Sequence, residues 1–268
     1  NGCTNAISRT VLQDITVPNI TIAPAAVLTC TRTTILLNGA ASDQAPGWDI
    51  TWQAPDGSSI NDTLLAEVEA PGTYTLEILN TDNFCRNMAT ISVVQDTMQP
   101  TVTLLPADTL DCGTPTIALN SNVSTTAAPA YQWTSEDGQI LSGANSLNAT
   151  AGSPGWYYFT ATNENNGCQT VDSLLVLQDT IAPTLASLAP APLTCTAPQT
   201  WLNAATGSNP TWTYSWTAAN GGLLNSPADS NAVEVTAAGT YQVLVINPGN
   251  ACTATQSYTV TMDTLSPV

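Results

Sequence analysis

Seven cysteines carry most of the reactive chemistry in this 268-residue chain, and their spacing is regular. Cys30, Cys112 and Cys195 form one series with steps of 82 and 83 residues, and Cys3, Cys85, Cys168 and Cys252 form a second with steps of 82, 83 and 84. A thiol can serve as nucleophile, metal ligand or disulfide partner. Nucleophilic use calls for an activating base, most often imidazole, and the chain has no histidine. A zinc site needs four ligands, and with no Cys-x-x-Cys pair and no imidazole it would have to draw on several copies of the repeat. Strict periodicity favours disulfides, formed in an oxidising compartment. One member of each series falls in each repeat, so the spacing predicts Cys30 with Cys85, Cys112 with Cys168 and Cys195 with Cys252, leaving Cys3 to pair with another repeat. Closing loops of 55 to 57 residues contributes roughly 4 kcal/mol per bond in the chain-entropy model.

Other catalytic constellations are missing. A glycosidase needs two carboxylates facing each other across a cleft. Glu136 and Asp137 are adjacent, but Pro55–Asp56 and Ala219–Asn220 stand at the matching positions of the other repeats, so a turn is the simpler reading. No residue is assigned a catalytic role and no cofactor is expected. A calcium reading of the repeat joints would use Asp14, Asp96, Asp179 and Asp263, but the ion takes six to eight oxygens and each joint offers one obvious carboxylate. Aspartate capping a turn, with proline stiffening the crossing, is the preferred account.

The elements that must position these cysteines repeat with the same period. Trp52, Trp133 and Trp216 each precede a turn pair, Asp56-Gly57, Asp137-Gly138 and Asn220-Gly221, which reads as a hairpin. Gly72-Thr73-Tyr74, Gly155-Trp156-Tyr157 and Gly239-Thr240-Tyr241 recur in step, followed by Asn80, Asn163 and Asn247. Asp-x-x-x-Pro closes each unit. Three repeats therefore span 19–100, 101–183 and 184–268, the last with its joint. Residues 1–18 read as the last strand and joint of a preceding repeat, either in a longer tandem array or lent to a neighbouring subunit. Short strands rich in Val, Ile, Thr and Tyr, with turns every 8 to 12 residues and no helical pattern, predict an all-β chain of three Ig-like antiparallel sandwiches. Thr73–Ile78 and Ala89–Val94 alternate as a final hairpin. Trp52, Trp133, Trp216, Tyr74, Tyr157 and Tyr241 are the expected core anchors.

Charge narrows the partners. Twenty acidic residues stand against Arg9, Arg32 and Arg86, giving a net charge of -17. Nucleic acid and anionic membrane surfaces are held by basic patches, which three scattered arginines cannot make. No apolar run of about 20 residues is present to span a bilayer as a helix.

Leu28-Thr29-Cys30, Ile50-Thr51-Trp52, Asp56-Gly57, Gly72-Thr73-Tyr74, Cys85, and Asp96-Thr97 followed by Pro100 resemble the Ig-like, PKD-like and HYR-like repeats of large Bacteroidota cell-surface adhesins and gliding-associated proteins. The likeness covers all three repeats. An antibody-type domain sets its second cysteine two residues after the corner tyrosine, whereas Cys85 follows Tyr74 by 11. The resemblance implies an extracellular, structural or adhesive segment of a surface fibre, with further copies of the repeat as partners; it names no ligand, and surface glycans are a candidate partner. Joints of a few residues with proline suggest a semi-rigid rod. That group O-glycosylates Asp-Ser/Thr followed by an apolar residue or Thr, which implies glycans on Thr63, Thr97, Thr109, Ser173, Thr180 and Thr264. N-linked sequons at Asn19, Asn61, Asn122 and Asn148 are not periodic and read as incidental. The alternative is a set of carbohydrate-binding modules of a secreted glycan-active enzyme, with Trp156 or Trp212 as stacking platforms.

Overall fold

A computed structural model describes residues 2–124, 129–204 and 211–263, so Thr264 lies outside the described residues. Among these the chain is all-β, and no helix is present to cross a membrane. The first repeat contains β1 (Leu28–Thr29), β2 (Ile35–Asn38), β3 (Asp49–Gln53), β4 (Ser59–Asn61), β5 (Leu65–Val68), β6 (Gly72–Leu79), β7 (Arg86–Val93) and β8 (Gln95–Asp96). β2 pairs antiparallel with β5, and the order β4-β3-β6-β7 makes the second sheet. Alternation sends one face of each sheet inward. Ile35, Leu37, Ala66 and Val68 from one sheet meet Trp52, Tyr74, Leu76, Ile78 and Val93 from the other in a single core.

The second repeat runs through β9 (Thr101–Leu104), β10 (Leu110–Asp111), β11 (Ile117–Ser124), β12 (Pro129–Ser135), β13 (Ile140–Ser142), β14 (Asn148–Ala151), β15 (Gly155–Asn163), β16 (Gln169–Val176) and β17 (Gln178–Asp179). Its sheets have the orders β13-β14-β11-β9 and β12-β15-β16. The third has β18 (Thr200–Asn203), β19 (Thr213–Ala219), β20 (Ala232–Val235), β21 (Gly239–Asn247) and β22 (Cys252–Val260), arranged as β18-β20 and β19-β21-β22. Trp133 and Trp216 are as deeply buried as Trp52, and Trp133 packs on Phe159 with ring centroids 4.8 Å apart. The expected final hairpin of the first repeat is formed by β6 and β7, pairing Thr73 with Ser92 and Ile78 with Asn87.

Each corner tyrosine closes the loop ahead of its strand. Tyr74 donates to Ala70 O at 2.8 Å, Tyr157 to Ser153 O at 2.7 Å and Tyr241 to Ala237 O at 2.8 Å. In this way a buried phenol satisfies its hydroxyl while the ring fills the core.

Residues 2–18, which match β7 and β8 in repeat position, form no strand, and Ile7, Val11 and Leu12 are exposed. Among the described residues no strand pairs with this segment.

By contact the chain divides into two compact units. One comprises 1–101, 124–130 and 161–170, and the other comprises 102–123, 131–160 and 171–268. The turn at 161–170 belongs by sequence to the second repeat yet packs within the first unit. The cysteines explain why.

Candidate functional site

The site is built where a short parallel bridge ends one repeat. In the first repeat Leu28 pairs with Gln95 and Thr29 with Asp96, and in the second Leu110 pairs with Gln178 and Asp111 with Asp179. Leu193 bridges Met262 in the third. Leu28, Leu110 and Leu193 are buried, and this anchoring holds the cysteine two residues later at the edge of its repeat. Cys30, Cys112 and Cys195 therefore share one place.

The second series sits at the opposite end, just ahead of the last long strand. Asn83 Oδ1 accepts from Cys85 N at 2.8 Å, Asn166 Oδ1 from Cys168 N at 2.9 Å and Asn250 Oδ1 from Cys252 N at 3.0 Å. The residue before each cysteine has positive φ: Phe84 at 60°, Gly167 at 70° and Ala251 at 53°. Phe84 N–H donates to Asn80 O and Gly167 N–H to Asn163 O, so the recurring asparagines organise the turn.

The disulfides join these two places across repeats. Cys30 is bonded to Cys168 and Cys112 to Cys252, at sequence separations of 138 and 140. Cys3, Cys85 and Cys195 are free thiols. The pairing read from the spacing is thus corrected: Cys30 does not bond Cys85, Cys112 does not bond Cys168, and Cys195 does not bond Cys252. The reason is strand length. Cys85 precedes the eight residues of β7, which at about 3.3 Å per residue carry the chain roughly 26 Å before it reaches the level of Cys30. Disulfide partners need Cα atoms about 4.4 to 6.8 Å apart. In the bonds that form, the Cα atoms are 5.1 and 4.9 Å apart.

Hydrogen bonds reinforce each crossing. Cys30 N–H donates to Asn166 O at 3.2 Å and Cys112 N–H to Asn250 O at 3.1 Å. Asn166, itself buried, donates through Nδ2 to Asp96 Oδ1 at 2.8 Å and to Met98 O at 3.0 Å. Asn250 repeats this with Asp179 Oδ1 and Ile181 O, both at 3.0 Å. At the first joint Asn83 Nδ2 reaches Thr16 O at 3.0 Å.

The joint aspartates are therefore hydrogen-bond acceptors that cap turns. Asp96 Oδ1 also accepts from Met98 N, Asp179 Oδ1 from Ile181 N and Asp14 Oδ1 from Thr16 N. The Thr16 hydroxyl and then its backbone N–H, with help from Asn83, hold the Asp14 carboxyl below its ordinary pKa. Among the described residues no three carboxylate, thiol or imidazole side chains gather as metal ligands. Asp137 accepts from Trp156 N at 2.9 Å, which makes it part of a turn.

Of the hydroxyls singled out for glycans, Thr63, Thr97, Thr109, Ser173 and Thr180 are all exposed. Trp156 is 45% exposed, whereas Trp212 is partly buried against the core of the third repeat and is no open platform. Trp201, 54% exposed, went unnoticed in the sequence, and with Leu188, Pro190 and Tyr258 it lines a concavity of about 410 Å³.

No family model and no curated protein matches the chain. Solved structures that match include tandem arrays of domains. Sidekick-1 immunoglobulin domains 1–5 match at 14% identity and a TM-score of 0.31, covering 92% of this chain, which spans 59% of that one. Three N-terminal domains of the bacteriophage RB49 Highly Immunogenic Outer Capsid protein match at 10% identity and a TM-score of 0.35, over 92% of this chain and 99% of that one. The N-terminal eight Ig domains of Down Syndrome Cell Adhesion Molecule match at 13% and 0.38, over 94% and 37%. At these identities and TM-scores the likenesses carry no argument of their own. The paired sheets and the cores between them make the chain an array of Ig-like β-sandwich repeats.

Proposed function

We propose that this chain is a structural and adhesive segment of an extracellular surface fibre, of the kind its repeats resemble in Bacteroidota adhesins. The observation that carries the reading is that both disulfides cross from one repeat to the next. A cross-link inside a domain protects that domain, whereas one between domains adds a second covalent path along the array. Every backbone position from 31 to 251 lies inside at least one disulfide-closed loop, and 113–167 lies inside both. By connectivity three chain segments link one cross-link to the other, so a single peptide bond broken between 31 and 251 does not part the chain. Such redundancy suits a protein that works outside the cell, under load and among proteases. Exposed hydroxyls that follow an aspartate, such as Ser173 and Thr180, suit O-linked glycans, which would solvate a surface poor in charge.

Electron microscopy of native material labelled with antibody to this chain tests the reading. Continuous labelled filaments are expected, and isolated particles would contradict it. Intact mass before and after removal of O-glycans tests the modification, and an unchanged mass refutes it. Exposed Trp156 supports a second reading, a carbohydrate-binding module. That reading requires a glycan-array signal that Trp156→Ala removes.

A further inference from the structure

We propose that Cys195 and its loop are a covalent docking point for the turn of a further Ig-like repeat whose cysteine directly follows a glycine. This rests on the fibre reading above and gives it a rule for choosing partners.

The loop is already built. Thr194 N–H donates to Ala197 O at 3.0 Å, as Thr29 N–H donates to Arg32 O at 2.9 Å. Ala197 N–H donates to Thr194 Oγ1 at 3.0 Å, as Arg32 N–H donates to Thr29 Oγ1 at 3.0 Å. The hydroxyls of Thr194 and Thr196 are 3.2 Å apart, and those of Thr29 and Thr31 are 3.3 Å apart. Cys195 thus stands in the same setting as Cys30, exposed and reduced. The bonds at Cys30 and Cys112 identify what such a loop takes: a turn offering a thiol and, from the residue two before it, a carbonyl for the cysteine N–H. Among the described residues Cys195 N–H has no such carbonyl.

The glycine requirement follows from sterics. A Cβ on Gly167 would lie 2.3 Å from Thr31 Cγ2 and 3.0 Å from Thr31 Oγ1. At the other bond the small residue stands on the opposite side, since a Cβ on Gly113 would lie 2.8 Å from Ala251 Cβ. At each crossing one of the two facing positions is glycine, and a Cβ added there would crowd the residue opposite. Thr196 matches Thr31, so the incoming cysteine must be preceded by glycine. Cys85 fails this rule because Phe84 precedes it. Gly2-Cys3 satisfies it, with Cys3 exposed and free.

Bond formation is oxidative and uses a disulfide oxidant such as glutathione disulfide or a protein disulfide. The Cys195 thiolate attacks that disulfide, a mixed disulfide forms and one thiol departs. The partner thiolate then displaces the second thiol. In all, the two protein thiols give up two electrons and two protons, which the oxidant keeps as two thiols.

The test is disulfide mapping by mass spectrometry on native material, alkylated under denaturing conditions and digested at low pH without reduction. Cys195 is expected to be joined to a peptide whose cysteine follows glycine. If denatured, unreduced material keeps its apparent mass on reduction, the partner repeat lies in the same polypeptide. If the mass falls and the partner peptide contains Cys3, a second copy supplies it. Cys195 recovered as a free thiol, capped by a small thiol, or joined to any cysteine not preceded by glycine, Cys85 included, overturns the proposal. Recovery of Cys30–Cys168 and Cys112–Cys252 in the same digest leaves the fibre reading standing even then, whereas their absence removes both.

Discussion

Cys30 and Cys168 are bonded although they belong to different repeats, and Asn166, two residues before Cys168, sends its carbonyl to Cys30 N and its amide to Asp96 and Met98. One turn thus carries both the covalent and the hydrogen-bonded contact with the preceding repeat.

Removing the covalent part should weaken the joint measurably. The Cys30→Ser/Cys168→Ser double variant is expected to lose about 2–5 kcal/mol in the transition that includes the first repeat, because a long loop is no longer closed in the unfolded state. Denaturant melts of oxidised, reduced and variant protein check this, with the reduced wild type matching the variant in that transition.

The hydrogen-bonded part can be separated from the bond. Asn166→Ala leaves Cys168 in place but strips a buried side chain that serves Asp96, Met98 and the Cys168 N–H. A cost of about 1–3 kcal/mol is expected. Asn83→Ala, at a joint where the side chain is only half-buried and its amide reaches Thr16 O and helps hold Asp14, should cost less when the two midpoints are compared.

Tyr157→Phe deletes a hydroxyl bonded to Ser153 O at 2.7 Å and Gln139 O at 3.2 Å while keeping the ring in the core. A loss of about 1–2 kcal/mol is expected, with the fold retained by circular dichroism. An unchanged midpoint would show that the tyrosine acts through its ring alone.

Acid should act on the turns. The Ser58 hydroxyl, at 2.6 Å, and then its N–H hold the Asp56 carboxyl below its usual pKa, as Thr16 does for Asp14. A depressed folded pKa contributes stability above the unfolded value, near 3.9, which is lost as pH falls through the folded pKa. Asp56→Asn and Asp14→Asn should therefore be less stable than wild type at neutral pH. The difference should close below about pH 4, as melts across pH 2–7 would show.

Much of this architecture was legible in the residues. Alternation in Thr73–Ile78 gave β6 its inward face, and the tryptophans ahead of the turn pairs fell in the cores because they are the largest apolar groups on inward positions. The disulfide partners were not legible, for a definite reason. Each repeat holds one cysteine of each series whether bonds close within a repeat or cross to the next, so periodicity is silent between the two. Geometry decides, through the length of β7 between Cys85 and the bridge beside Cys30. Trp201 could have been found: in β18 Leu202 points inward, and alternation turns its neighbour out. The glycine rule at the crossings needed coordinates, since Gly167 and Thr31 are far apart in sequence and meet only once the bond places them together.

A single engineered cut tests the central claim most directly. A protease site placed in the exposed stretch around Leu105–Pro106, between β9 and β10 of the second repeat, falls inside the Cys30–Cys168 loop but outside any loop closed by Cys30–Cys85 or Cys112–Cys168. After complete cleavage, denatured and unreduced protein is predicted to run as one species at the full mass and to separate into two fragments only on reduction. Two fragments without reduction would contradict the account.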